Sequence, residues 1–170
     1  MIAPCFVDAN VFVYACDPVA PLKQQVALAL LGRLWREQSG RTSVQALNEF
    51  YVAATRKLPK PLDSERAWRE VDELLQWNPQ PTDSALVTAA RQIEIRHRLS
   101  WWDAQIVAAA KAQHCATLYT EDLQHGAIID GVRVCNPFIA QVQKPAPPAY
   151  VPVRVAGHRP RGRRDLRTLP

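Results

Sequence analysis

Four acidic side chains stand where an α/β chain places its chemistry. Asp8 follows the apolar run Cys5-Phe6-Val7, and Asp122 follows Thr117-Leu118-Tyr119 after Thr120-Glu121. Glu49, in Leu47-Asn48-Glu49-Phe50, and Asp103, in Ser100-Trp101-Trp102-Asp103-Ala104, fall within helical stretches. In an open α/β sheet, strand-end residues converge at the carboxyl edge, where ligands bind. Carboxylates gathered there repel one another unless a divalent cation neutralises them. Hard oxygen ligands select Mg²⁺ or Mn²⁺, the ions of phosphoryl chemistry.

Each acid also has an ordinary use. Asp8 could cap the helix after its strand, although Asn10 could do that equally well and leave Asp8 free. Glu49 lies away from the apolar stripe Val44, Leu47, Tyr51, Ala54 and Leu58, beside Gln45 and Arg56. That placement reads as a solvated Glu, or as a narrow polar strip facing a cleft. Asp103 shares a face with Ile106, Val107, Ala110 and His114, where a carboxylate is costly unless bonded or metal-bound. Ser100-x-x-Asp103 is also a capping box, and the helix N-terminus favours negative charge in either role. Asp122 could cap the following turn or aim into a cleft, with Glu121 a secondary candidate.

The elements that must position these residues alternate between short strands and longer helices. Strands are expected over residues 2–7, 41–43, 117–119 and 132–135. Helices are expected over 11–16, 23–38, from about 44 to 57, 65–76, 83–97 and from 100 to about 114. Gly40 is expected to stop the second helix. Thr42-x-x-Gln45, Asp63-Ser64, Thr82 and Ser100 are the expected caps. Asp130-Gly131 is a turn signal, which leaves open whether Ile128-Ile129 pairs with Val132-Val134. This order favours an α/β fold, a mostly parallel sheet with helices on both faces.

At 170 residues the chain makes one domain with room for an ordinary core. Residues 1–143 read as that domain. From Lys144 the chain becomes rich in Pro and Arg, with seven basic residues and one acid. The net charge of +5 therefore resides in the tail, and residues 1–143 carry about one net negative charge. Such a tail is either a solvated appendage or a phosphate-binding one, using Arg161, Arg163, Arg164 and Arg167. Cys5, Cys16, Cys115 and Cys135 form no Cys-x-x-Cys pair and have no His at zinc spacing. No apolar run reaches the roughly 20 residues of a membrane span, and the N-terminus lacks signal-peptide character. A cytoplasmic location is expected.

Taken together, Phe6-Val7-Asp8-Ala9-Asn10-Val11, Leu47-Asn48-Glu49-Phe50, Leu99-Ser100-Trp101-Trp102-Asp103-Ala104-Gln105-Ile106, Leu118-Tyr119-Thr120-Glu121-Asp122 and Gly131-Val132-Arg133-Val134-Cys135-Asn136-Pro137-Phe138 resemble the successive motifs of PIN-domain proteins, specifically the VapC-type toxins of toxin–antitoxin pairs. The likeness spans about Met1 to Val142. It implies a three-layer α/β/α fold and metal-dependent cleavage of RNA. The implied ligands of one or two Mg²⁺ or Mn²⁺ ions are Asp8, Glu49, Asp103 and Asp122, supported by Asn10 and Thr120. It also implies a small antitoxin partner and a homodimer. A PIN nuclease of RNA maturation, or a non-catalytic RNA- or protein-binding module on the same fold, are the alternatives.

Overall fold

A computed structural model describes residues 3–139, so the basic tail with its arginines and the expected boundary at residue 143 lie outside the described residues. Five strands form one sheet: β1 (Cys5–Val7), β2 (Gly40–Arg41), β3 (Thr117–Tyr119), β4 (Ile128–Ile129) and β5 (Val132–Cys135), in the order β2-β1-β3-β5-β4. The β1–β2, β1–β3 and β3–β5 pairs are parallel, and β4–β5 is antiparallel. The hairpin left open by the sequence is present. Asp130 (φ 50°) and Gly131 (φ 88°) both take left-handed backbone, as a two-residue hairpin turn with right-handed strand twist requires.

Six α-helices complete the alternation: α1 (Ala9–Ala15), α2 (Pro21–Glu37), α3 (Val44–Arg56), α4 (Ser64–Leu74), α5 (Ser84–His97) and α6 (Trp101–Ala112). Helix α1 packs on α2 and α3, and α3 on α4, whereas α5 and α6 pair and α6 rests on β3 and β5. Phe6, Leu118 and Val134 from three neighbouring strands are fully buried, as expected of parallel strands covered on both faces. Phe12, Phe50 and Trp77 add an edge-to-face aromatic cluster where α1 meets α3.

Two expected caps shift by one residue. Ser43 rather than Thr42 caps α3, its Oγ accepting from Ala46 N at 3.1 Å. Thr42 is instead buried, and its hydroxyl donates to the Val7 carbonyl at 3.0 Å, tying the end of β2 to the end of β1. Asp83 rather than Thr82 caps α5, accepting from Leu86 N at 2.8 Å. Gly40 does not end α2, which closes on Gln38 in a left-handed C-cap. Gly40 lies in β2, where a Cβ would stand 2.5 Å from the Trp77 ring, so the close approach of that ring calls for glycine. Val44 is exposed and the buried stripe of α3 runs through Ala46, Leu47, Phe50 and Ala54. His114 lies beyond the end of α6 with φ 55°, so it does not extend that helix face. Among the described residues, no helix is long and apolar enough to cross a membrane.

Candidate active site

The sheet order sets the position of the site. From β1 the chain moves first to β2 on one side and later to β3 on the other, so the segments after β1 and β3 leave neighbouring strands in different directions. Such a switch point opens a crevice at the carboxyl edge. Asp8 follows β1 there, its N–H bonded to the Tyr119 carbonyl at 3.0 Å. Thr120, Glu121 and Asp122 follow β3. The link from Thr42 to β1 places the start of α3 at the same edge, and with it Gln45 and Glu49. Ser100 begins α6 with Asp103 in its first turn.

These elements enclose a cavity of about 1010 Å³ lined by Asp8, Asn10, Glu49, Asp103, Glu121 and Asp122, among others. All four sequence-selected acids meet it, and so does Glu121. The strip containing Glu49 faces the cleft rather than bulk solvent alone. Thr120 supports from below, fully buried.

Asp8 is the anchor of the arrangement and is only 6% exposed. It is also the cap of α1, since Oδ1 accepts from Ala9 N at 2.7 Å, so Asn10 does not take over that task. Oδ2 accepts from the Thr120 hydroxyl at 2.8 Å and from Asn10 Nδ2 at 3.3 Å. Asn10 Nδ2 also reaches Thr120 Oγ1 and Asp122 Oδ2, both at 3.0 Å, and Asp122 N donates to Thr120 Oγ1 at 3.2 Å. One amide and one hydroxyl thereby hold two carboxylates. Burial drives the Asp8 pKa up to about 7, against the hydrogen bonds from Thr120 and Ala9; the charges of Glu49 and Asp122 push the same way as burial.

The other two acids are held from their own helices. Gln45 Nε2 donates to Glu49 Oε1 at 2.8 Å across one helical turn and to the Trp102 carbonyl at 3.3 Å, joining α3 to α6. The Ser100 hydroxyl accepts from Asp103 N at 3.1 Å and donates to Asp103 Oδ2 at 2.7 Å. Asp103 is therefore both a first-turn acid of the cap and a wall of the cavity. Glu121 pairs with Lys23 at 2.6 Å, and Lys23 also donates to the Tyr14 hydroxyl at 2.8 Å. That pairing separates Glu121 from the other four acids, which form no ion pair among the described residues.

The donor set fits a hard divalent cation. It consists of oxygens, one of them on a buried carboxylate with no cationic partner, and Asn10 Oδ1 is a buried amide oxygen without a hydrogen-bond partner among the described residues. The four carboxylates share the cavity, yet among the described residues no three acidic, His or Cys side chains close into a ready-made cation site.

Sequence reasoning did not single out Gln45, Gln105 or Lys57 as parts of this wall. For Gln45 the signal was available, since it stands four residues before Glu49 on one helix. Gln105 stands two positions after Asp103 on α6, a helix buried almost all round, and both residues line the cavity.

A PIN-domain family model matches residues 5–128. The chain belongs to the PIN-domain family. Among solved structures, it is similar to VapC20 of Mycobacterium tuberculosis, a sarcin–ricin loop cleaving toxin, with a TM-score of 0.52 and 18% sequence identity over 69% of this chain and 89% of that one. At that identity the likeness speaks for the shared fold. No curated protein matches the sequence.

Proposed function

We propose that this chain is a metal-dependent endoribonuclease of the VapC type, the toxin of a toxin–antitoxin pair. The observation that carries the reading is the convergence of Asp8, Glu49, Asp103 and Asp122 on one cavity at the switch point of a PIN-domain sheet. The RNA-cleaving activity of the structurally similar VapC20 supports it. A small antitoxin, a homodimer and a cytoplasmic location belong to the same proposal.

In this reading Asp8, Glu49, Asp103 and Asp122 hold one or two Mg²⁺ or Mn²⁺ ions. Such an ion, once bound, supplies charge neutralisation at the scissile phosphate and lowers the pKa of a water for attack. The protein's own part is placement. Thr120 and Asn10 fix the Asp8 and Asp122 carboxylates, Gln45 fixes Glu49, and Ser100 fixes Asp103. With a pKa close to neutrality, Asp8 holds a proton at acid pH that it would have to release to hold a cation. The reaction is hydrolysis of a phosphodiester with water as nucleophile, leaving a 5′-phosphate and a 3′-hydroxyl. Arg161, Arg163, Arg164 and Arg167 supply further phosphate contacts from the tail, which truncation at Lys144 tests as a flatter salt dependence of RNA binding.

The test of the activity is RNA cleavage by the full-length protein in Mg²⁺ or Mn²⁺. Cleavage is expected to stop with EDTA and in Asp8→Ala. Cutting that persists in a clean Asp8→Ala preparation removes the nuclease reading.

A further inference from the structure

The carboxylates account for only part of the cavity. Its volume of about 1010 Å³ is at the top of the ~300–1,000 Å³ range of small-molecule pockets and exceeds what hydrated ions need. The remaining wall has a different chemistry. Trp102, next to Asp103 at the start of α6, is 62% exposed and lines this cavity. Packing at the helix start is done by Trp101, which rests on the core. Val52 on α3 is also exposed and extends the apolar surface.

Polar groups accompany the indole. Lys57, just past the end of α3, is the one basic side chain among the described residues lining the cavity, opposite five acids. It enters no ion pair among the described residues. Gln105 lines the same wall as a largely buried residue, and its amide is not among the buried polar groups left without a partner in the described residues.

We propose, resting on the ribonuclease reading above, that this wall is a subsite for one unpaired RNA nucleotide beside the scissile phosphate. The base stacks on Trp102, Gln105 bonds its edge, and Lys57 meets a neighbouring phosphate. Stacking on an exposed indole needs a free π-face, which a base in a continuous duplex does not offer. The site thus selects single-stranded or looped-out RNA. A basic peptide is the other occupant that the acids attract, but it has no use for Lys57 and is repelled by it.

The test uses the full-length chain with Ca²⁺ present and the RNA checked for integrity on a gel. Binding of a mixed-sequence single-stranded RNA decamer and of a blunt RNA duplex is compared for native protein, Trp102→Ala, Trp102→Phe and Lys57→Ala. Single strands are expected to quench the Trp102 part of the emission. Trp102→Ala is expected to bind them at least about fivefold more weakly, with duplex binding unchanged and affinity largely restored in Trp102→Phe. Lys57→Ala is expected to lower the salt slope by about one. Native-like affinity of Trp102→Ala for single strands overturns the subsite, as does an equal loss on the duplex. Quenching by an arginine nonapeptide but not by RNA overturns it in favour of a peptide occupant. Cleavage in Mn²⁺, measured separately, keeps the two readings apart. A protein that binds through Trp102 and never cuts loses the nuclease and keeps the subsite. One that cuts with Trp102→Ala unchanged loses the subsite and keeps the nuclease.

Discussion

Asp8 and Asp130 are both largely hidden from solvent, yet their surroundings are opposite. Asp8 meets a hydroxyl, an amide and a backbone N–H, with Glu49 and Asp122 adding like charge nearby. Asp130, in the β4–β5 turn, meets Lys111 Nζ at 2.6 Å, His97 Nε2 at 3.1 Å and the Arg96 guanidinium. Hydrogen bonds from Lys111, His97 and Arg96 hold the Asp130 carboxyl well below the usual carboxylate range. Its cover is thin, because the Arg96 and Lys111 arms over it are themselves more than half exposed. Asp8 is covered instead by the core and the crevice. The turn is thereby pinned to α5 and α6 by charge pairing, whereas no basic side chain among the described residues pairs with the buried acid of the crevice. A strained ionisable group in a cleft marks a functional site, and a paired one near the surface marks an anchor.

The largest way to break this comparison is by activity. Asp8→Asn is expected to lower RNA cleavage by at least about 100-fold, the scale on which positioned acid–base groups act, while Asp130→Asn changes it little. Initial rates in Mn²⁺ on the same RNA decide this. Equal losses in the two variants would deny the division between site and anchor.

Stability against pH sharpens the comparison, since the two groups have opposite signs. The folded-state pKa of Asp8, about 7, lies above the ordinary 3.8, so its contribution is fully present below about pH 4 and is lost as pH rises through 7. Metal-free Asp8→Asn is therefore expected to match the native chain in acid and to exceed it at pH 8. The ceiling on that gain is on the order of 4 kcal/mol, at about 1.4 kcal/mol per pKa unit. Asp130 has a lowered pKa, so its contribution is present above the ordinary carboxylate value and is lost as pH falls below it. Asp130→Asn is expected to cost on the order of 1–2 kcal/mol at pH 7, since each exposed arm contributes at most about 1 kcal/mol. The cost is expected to shrink in acid. Urea unfolding at several pH values in EDTA reads both effects.

The smallest effect is expected at Gln45. Gln45→Ala frees Glu49 and the link to α6, without removing a carboxylate, and should lower the cleavage rate by about 10-fold or less with stability nearly unchanged. A loss as large as that of Asp8→Asn would make Gln45 part of the chemistry.

Much of this site could be read in the sequence because its parts are local. Asp8 and Asp122 follow short apolar runs, and Ser100 with Asp103 spells its own cap. The alternation of strands and helices pointed to a mostly parallel sheet, though not to its strand order. What escaped depends on contacts between distant segments. Gly40 looks like a helix stop until Trp77, 37 positions later, is seen to press against it. Thr42 looks like a cap until the end of β1 claims its hydroxyl. The α3 stripe was misassigned at Val44 because its position at the helix start leaves it exposed. Lys57 carries no local signal at all, since a Lys after a helix is ordinary and only the fold brings it to the cavity.

Cation binding to the metal-free protein tests the account most directly. Saturating Mn²⁺ is expected to raise the melting temperature of the native chain by about 5–10 °C, as about 100-fold excess over Kd implies for a chain of this size. In Asp103→Asn, whose metal-free form should be as stable as the native chain or more so, the rise is expected to be less than half as large. Equal Mn²⁺ stabilisation of the two proteins would contradict a shared cation site built from these acids.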